Sequence, residues 1–264
     1  IEKAIKESIR DVVAEESIIG QNGNKKIRIP VKGIKEHRFV YGQNQKNKPE
    51  LVYKEFMAYK FFEELSDIHL KTQAVSLKII ELKNGKEIEH TMFAFLVEDD
   101  DKVADRHEIK KYPSRRMSPL AVKDSSAINF TLFSYMIGNT DWSLAYQHNT
   151  EMFFDGRRMI AIPYDFDHSG LVNAFYAKPN PMLKISSVTE RVYRGLCKRD
   201  PQTFNNMRNL YISKEGSILN ILNGFKENIE VKEFERLNEY INSFYDILKS
   251  DTEFKNKILS KCRG

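Results

Sequence analysis

The 264 residues carry a formal net charge of +5, with 41% hydrophobic and 30% charged side chains. That balance excludes a disordered chain and suits one large or two modest globular domains. No apolar run approaches the ~20 residues that span a bilayer, and the basic excess is not a stripe interleaved with aromatics, so nucleic acid is not an expected partner.

The chain opens at Ile1 without a charged-apolar-small leader. An upstream segment, such as a signal, an anchor or extra strands, leaves an exported or periplasmic location open. Lys25 to Lys32 (KKIRIPVK) alternates basic and apolar residues as a half-buried strand does. Lys26, Arg28 and Lys32 share a parity, so they face one side until Pro30 disturbs it. Glu50 to Leu65 reads as a helix with Pro49 as its start signal. At about 100° per residue, Leu51, Glu55, Ala58, Phe62 and Leu65 form one stripe, which puts Glu55 within an apolar face. A carboxylate there needs a cation or donors, unless it reaches water past its neighbours.

Thr91 to Val97 (TMFAFLV) is a buried-strand run that ends in Glu98-Asp99-Asp100-Asp101. Most of these acids are expected to face water, with Asp99 or Asp101 capping the next helix. Ser126 to Ile137 reads as a buried helix stopped by Gly138. The loop Gly138-Asn139-Thr140-Asp141-Trp142-Ser143 follows. Glu151–Phe154 and Met159–Ile162 then form a hairpin through Asp155-Gly156, and Pro163 ends its second strand. Beyond it comes Pro163-Tyr164-Asp165-Phe166-Asp167-His168-Ser169-Gly170. If the chain stays extended, Asp165 and Asp167 project to one face and hold one or two Mg²⁺ ions.

Arg191 and Arg194, three apart, would share a side of a helix, where they clamp an anion, stabilise the acidic loop or simply face solvent. Cys197 and Cys262 lack metal-type spacing and form either one disulfide or two buried thiols. Pro201 to Gly264 reads as helical, over 213–228, 232–250 and 252–262, with its aromatics in the core.

The order helix, Asp141 loop, hairpin and Asp-Phe-Asp resembles the C-terminal lobe of the protein-kinase-like fold. The Asn-x-Asp element at Asn139-Thr140-Asp141, a later Asn and the Asp-x-Asp element after Pro163 resemble atypical, CotH-like kinases of the spore-coat type, and the strings GNTDWS, HN (His148-Asn149), PYDFDHSGLVNA and RVYRGLC resemble a group of uncharacterised bacterial proteins. The resemblance is strongest over roughly Thr91 to Cys197. It implies an α+β, two-lobed fold: a sheet-containing lobe over residues 1–98 and a mainly helical lobe over 99–264.

It also implies Mg²⁺- and ATP-dependent phosphoryl transfer to a hydroxyl on a protein or small molecule. Asp141 would orient the acceptor, while Asp165, Asp167 and Asn149 hold Mg²⁺ or Mn²⁺. Glu55 would pair a phosphate-binding cation among Lys26, Arg28 and Lys32, and the 91–97 strand would feed a hinge for the adenine edge. Two rivals stand beside it: a pseudokinase-type nucleotide-binding module and a metal-dependent phosphohydrolase. The sequence departs from the ordinary kinase pattern in three ways. Asn149 lies eight residues after Asp141, no His-Arg precedes that Asp, and Gly20-Gln21-Asn22-Gly23 is too sparse for a glycine-rich phosphate loop.

Overall fold

The computed structural model describes residues 9–16, 25–29, 38–40, 49–83, 86–112 and 116–264. These residues build a mixed α and β structure of two small sheets and many helices. The larger sheet has five antiparallel strands in the order β2-β1-β4-β5-β3, namely β1 (Ile9–Glu16), β2 (Lys25–Ile29), β3 (Arg38–Val40), β4 (Thr72–Lys83) and β5 (Lys86–Val97). Between β3 and β4 runs α1 (Glu50–Leu65), whose bounds match the sequence expectation. It is buried over most of its circumference, not along one stripe: Val52, Phe56, Met57, Phe61 and Phe62 all lie in the core.

After β5 come α2 (Asp100–His107), the short β6 (Lys110–Lys111), and α3 (Asp124–Ile137). Strands β7 (Thr150–Phe154) and β8 (Met159–Pro163) pair as the expected hairpin, and β6 adds the third strand. Asp155 Oδ1 accepts from the N–H groups of Arg157 and Arg158, so the Asp-Gly turn is closed by its own first side chain. Four helices finish the chain: α4 (Pro201–Ser213), α5 (Glu215–Gly224), α6 (Val231–Lys249) and α7 (Asp251–Lys257).

One continuous apolar core joins α1, β4, β5, α3, the hairpin and α4 to α7. Apolar burial of this kind stabilises by roughly 25 cal/mol per Å² removed from water. Its aromatic spine includes Phe62 against Phe133 (ring centroids 4.9 Å), Phe133 against Phe166 (5.4 Å) and Tyr59 against Phe166 (4.6 Å). Phe166 is fully buried, so it anchors its two flanking aspartates to the core.

Several expectations change in the three-dimensional structure. The 188–199 segment is irregular, with no helix to bring Arg191 and Arg194 to one side. The run Glu98 to Asp101 is not simply solvated. Asp99 caps α2 by accepting from the N–H of Asp101, but Glu98 pairs with Arg106 at 2.7 Å and Asp100 is buried against Lys111. Cys197 and Cys262 form a disulfide. Helix α4 begins ahead of the predicted 213–228 helix, with Asp200 capping it and Pro201 in its first turn.

Candidate functional site

Helix α3 ends where Gly138 takes φ +65°, and its N–H, with that of Asn139, closes onto the carbonyls of Tyr135 and Ser134. A Cβ on Gly138 would lie 2.1 Å from Tyr240 Oη, so the position requires glycine on both counts. The chain then turns sharply into the Asp141 loop. Asn139 Oδ1 accepts from Asp141 N–H at 2.9 Å, and Trp142 Nε1 donates to Asn139 O at 3.0 Å. Asn149, at φ +49°, donates from Nδ2 to Asp141 O at 2.8 Å and to Asp141 Oδ2 at 3.2 Å. His148 Nε2 lies 3.0 Å from Asp141 Oδ1. The Asp141 carboxylate is held by two neighbours while 43% of the side chain stays open to solvent.

The second acidic segment is tied directly to the first. Gly170 N–H donates to Gly138 O, and Leu171 N–H to Ile137 O. Between β8 and that contact, Asp165 takes φ +61°. The chain is therefore not extended through Asp165, contrary to the sequence expectation. A left-handed residue turns it, and the Asp165 and Asp167 carboxyls come within hydrogen-bonding reach of one another by that turn. Left-handed backbone in a non-glycine residue is strained, and aspartate tolerates it better than most.

Helix α1 meets this turn with two side chains one helical turn apart. Tyr59 Oη accepts from Asp165 N–H at 3.0 Å, and the Glu55 carboxylate lies near enough to the Phe166 N–H to feel it. Glu55 is only 7% exposed. Burial first, then the charges of Asp165 and Asp167, push its carboxyl up to about 8. The Asp165 carboxyl rises to about 6, through surrounding protein first and Asp167 and Asp141 next. Asp165 is nevertheless open to water on one side, which weakens the burial contribution, so Glu55 carries the stronger perturbation. Asp167 accepts from Tyr176 Oη at 3.0 Å and lies 3.9 Å from His168 Nε2.

The structure thus brings together Glu55, Asp165 and Asp167, with Asp141 close enough to act on Asp165. Among the described residues, no lysine or arginine forms an ion pair with Glu55, Asp165 or Asp167. Asn149 is adjacent, but its amide nitrogen serves Asp141, so only its Oδ1 is chemically suited to a cation. Lys26 and Arg28 lie on β2, with their side chains outside what is described, and Lys32 and Gly20 to Gly23 lie outside the described residues. Among the described residues, the trio of acids with ligand atoms within 4.8 Å of one another is Asp99, Asp100 and Asp101. Helix capping and the Lys111 pair account for that trio.

Sequence reasoning missed several contributors. Tyr59 and Tyr176 carried no chemical signal as isolated tyrosines. Arg194 does stabilise the acidic loop: its Nη1 donates to Thr140 O (2.6 Å) and Trp142 O (3.2 Å), the carbonyls on either side of Asp141. Arg191 binds Met136 O, Ser243 Oγ and Tyr240 O and stacks 3.7 Å above the Tyr240 ring, so it serves the frame and clamps no substrate. Lys54 is buried against Glu233 at 2.6 Å, a pairing that joins α1 to α6 and that local sequence cannot reveal.

The family described as "Protein of unknown function (DUF444)" matches residues 1–54. A UPF0229 protein of Clostridium botulinum (strain Eklund 17B / Type B) is 59% identical over 46 residues, 17% of this chain and 12% of that relative. A UPF0229 protein of Clostridium perfringens (strain ATCC 13124) is 56% identical over the same length and shares. One from Ruminiclostridium cellulolyticum is 53% identical over 45 residues, 17% of this chain and 11% of the relative. The chain therefore spans about an eighth of the length of the curated relatives it matches. No solved structure matches the chain.

These findings correct the resemblance drawn from the sequence. The similarity lies at the N-terminal end and points to UPF0229 proteins, not to CotH-like kinases. The kinase, pseudokinase and phosphohydrolase readings fall with it, because the matched family is one of unknown function and the comparisons carry no reaction. No helix among the described residues is long and apolar enough to cross a membrane.

Proposed function

We propose that this protein binds a divalent cation, Mg²⁺ or Mn²⁺, at Asp165 and Asp167. The observation that carries this reading is the uncompensated charge: buried Glu55 faces two aspartates that crowd one another, with no lysine or arginine paired to them among the described residues. Carboxylates so arranged repel, and a cation between them removes the repulsion. Two carboxylates leave most of an octahedral shell to water or to ligand oxygens, which is the usual condition of Mg²⁺ in proteins.

In this reading Asp141 accepts a hydrogen bond from cation-bound water, and Asn149 orients Asp141 or adds Oδ1 as a ligand. A polyphosphate completes the shell, with ATP as the probe. Lys26, Arg28 and Lys32 are the candidate contacts for its phosphates. The finer architecture belongs to the same proposal: a sheet-bearing lobe over 1–98 and a helical lobe over 99–264, in the protein-kinase-like manner. The contact of Glu55 and Tyr59 with the 165–167 turn supports it. No reaction is assigned.

The test is Mn²⁺ titration followed by electron paramagnetic resonance, with and without ATP. One Mn²⁺ per chain is expected, tightened by ATP and abolished in the Asp165→Asn, Asp167→Asn double variant. Mn²⁺ binding that survives in a folded double variant refutes the site. If ATP leaves Mn²⁺ affinity unchanged, the polyphosphate part is wrong.

A further inference from the structure

A cavity of about 340 Å³ lies between the start of α3, the 142–146 turn, the 193–199 segment and the last residues of the chain. Glu55, Asp141, Asp165 and Asp167 do not line it, so it lies behind the Asp141 loop, whose Trp142 and Ser143 form part of its wall. Its walls carry three arginines, Arg194, Arg199 and Arg263, and no Asp or Glu among the described residues. The rest of the lining is mainly apolar and aromatic, and the volume falls within the lower range of small-molecule sites.

The three arginines are not equivalent. Arg199 is fully engaged in structure: Nη1 donates to Val122 O and Asp124 Oδ1, both at 2.7 Å, and Nη2 to Pro119 O at 2.6 Å. Arg194 uses Nη1 on the Asp141 loop and lays its guanidinium 4.5 Å above the Trp142 ring, but its Nε is buried with no hydrogen-bond partner among the described residues. A buried donor without an acceptor costs about 1–3 kcal/mol, so such groups are rare without a reason. Arg263 Nε donates to Arg194 O at 2.8 Å, so the second guanidinium lies against the Arg194 backbone. Burial, and then the Arg263 charge, lower the Arg194 pKa to about 10. Two cations thus act on one another here, and the Asp141 charge offsets only part of that at Arg194, whose pKa stays lowered.

We infer that this cavity binds a small organic carboxylate, with its charge between Arg194 and Arg263 and its apolar body against Ile128, Trp142 and Leu144. A carboxylate meets Arg194 Nη2, which has no hydrogen-bond partner among the described residues and, unlike Nε, is not buried, and it relieves the repulsion between the two guanidinium groups. The aromatic and aliphatic walls favour a ligand with an apolar part over a bare inorganic ion.

Trp142 is the single tryptophan of the chain and lines the cavity, so its emission reports occupancy. The probe is 4-phenylbutyrate, compared with its neutral amide and with inorganic phosphate. A saturable change in Trp142 emission is expected with the carboxylate. Binding should weaken by about tenfold or more for the amide and in Arg263→Gln, the loss of one charge-assisted contact. Should Arg263→Gln fail to fold by circular dichroism, Ala127→Met, which narrows the cavity from α3, must weaken the response instead. No saturable response to 4-phenylbutyrate, equal affinity for the amide, or an unchanged response in the folded variants overturns the inference. Phosphate binding as tightly as the carboxylate overturns its organic part.

Discussion

Glu55 of α1 sets a buried carboxylate next to the backbone N–H of Phe166, beside the two aspartates that flank that residue. Four residues on, Tyr59 receives the N–H of Asp165. The helix therefore holds the Asp165 peptide group by a hydrogen bond and sets Glu55 against the next one. This is how a turn held at left-handed φ keeps one geometry.

The first prediction concerns pH. The Glu55 carboxyl rises from an ordinary 4.5 to about 8 in the folded protein. Between those values the folded state binds more protons than the unfolded one, so stability falls as pH rises. The contribution is fully present below about pH 4.5 and lost as pH passes 8. At about 1.4 kcal/mol for each tenfold bias in protonation, the loss is on the order of a few kcal/mol. Urea unfolding in a chelator at pH 6, 7 and 8 should show this decline, and Glu55→Gln should flatten it. A wild type that gains stability over that range would contradict the assignment.

Tyr59→Phe should remove the acceptor for Asp165 N–H while keeping the ring contact with Phe166. An unsatisfied backbone donor costs roughly 1–3 kcal/mol. Mn²⁺ affinity should fall together with stability, because the same peptide group positions Asp165. A variant as stable as wild type would show that water replaces the hydroxyl and that Tyr59 does not hold the turn.

Gly138→Ala meets two obstacles: φ of +65° and Tyr240 Oη at 2.1 Å from the new Cβ. The first costs roughly 1–2 kcal/mol, and the second adds an overpacking cost of roughly 1–3 kcal/mol. Tyr240→Phe in the same chain should recover the second part only. Chemical denaturation of the two singles and the double measures that coupling, and additive losses would deny the clash.

Local signals were legible wherever the chain obeys its own neighbours. Glu50–Leu65, the Asp155-Gly156 turn, the Gly138 stop and the end of β8 at Pro163 follow from periodicity and turn chemistry alone. Asp165 and Asp167 could be named, but their convergence rests on a left-handed residue held by Tyr59, a partner 106 positions away. Arg191 and Arg194 looked helical because their spacing is helical. The carbonyls of Met136, Thr140 and Trp142 hold that segment irregular instead. The start of α4 was within reach of the sequence, since Asp200 followed by Pro201 is a cap and first-turn signal. The order of acids suggested a reaction class that the comparisons do not support, because the spacing of acids along a chain does not by itself specify a reaction.

The disulfide between Cys197 and Cys262 closes 65 residues of chain and secures the tail that pairs with the 194–197 segment. In the chain-entropy account a loop of that size contributes between about 3 and 4.7 kcal/mol. Reduction, or Cys197→Ser with Cys262→Ser, should lower stability by up to that amount. A reduced protein as stable as the oxidised one would mean that backbone pairing alone holds the tail.

The last prediction separates the two partners of a buried ion pair. Lys54 has 3% of its side chain exposed and donates to Glu233 at 2.6 Å, while Glu233 also receives Arg236 at 2.9 Å. Burial lowers the Lys54 pKa, and Glu233 offsets that. Glu233→Gln therefore removes the counter-charge of a cation that water cannot reach, a loss on the order of 3–5 kcal/mol. Lys54→Met leaves Glu233 its Arg236 partner and puts an apolar side chain of similar length into the core, so its cost should stay near 1 kcal/mol or below. Equilibrium unfolding at neutral pH checks the asymmetry. Equal losses in the two variants would show that Lys54 reaches water or sheds its proton at little cost. A larger loss in Lys54→Met would mean that the lysine, not the glutamate, organises the contact between α1 and α6.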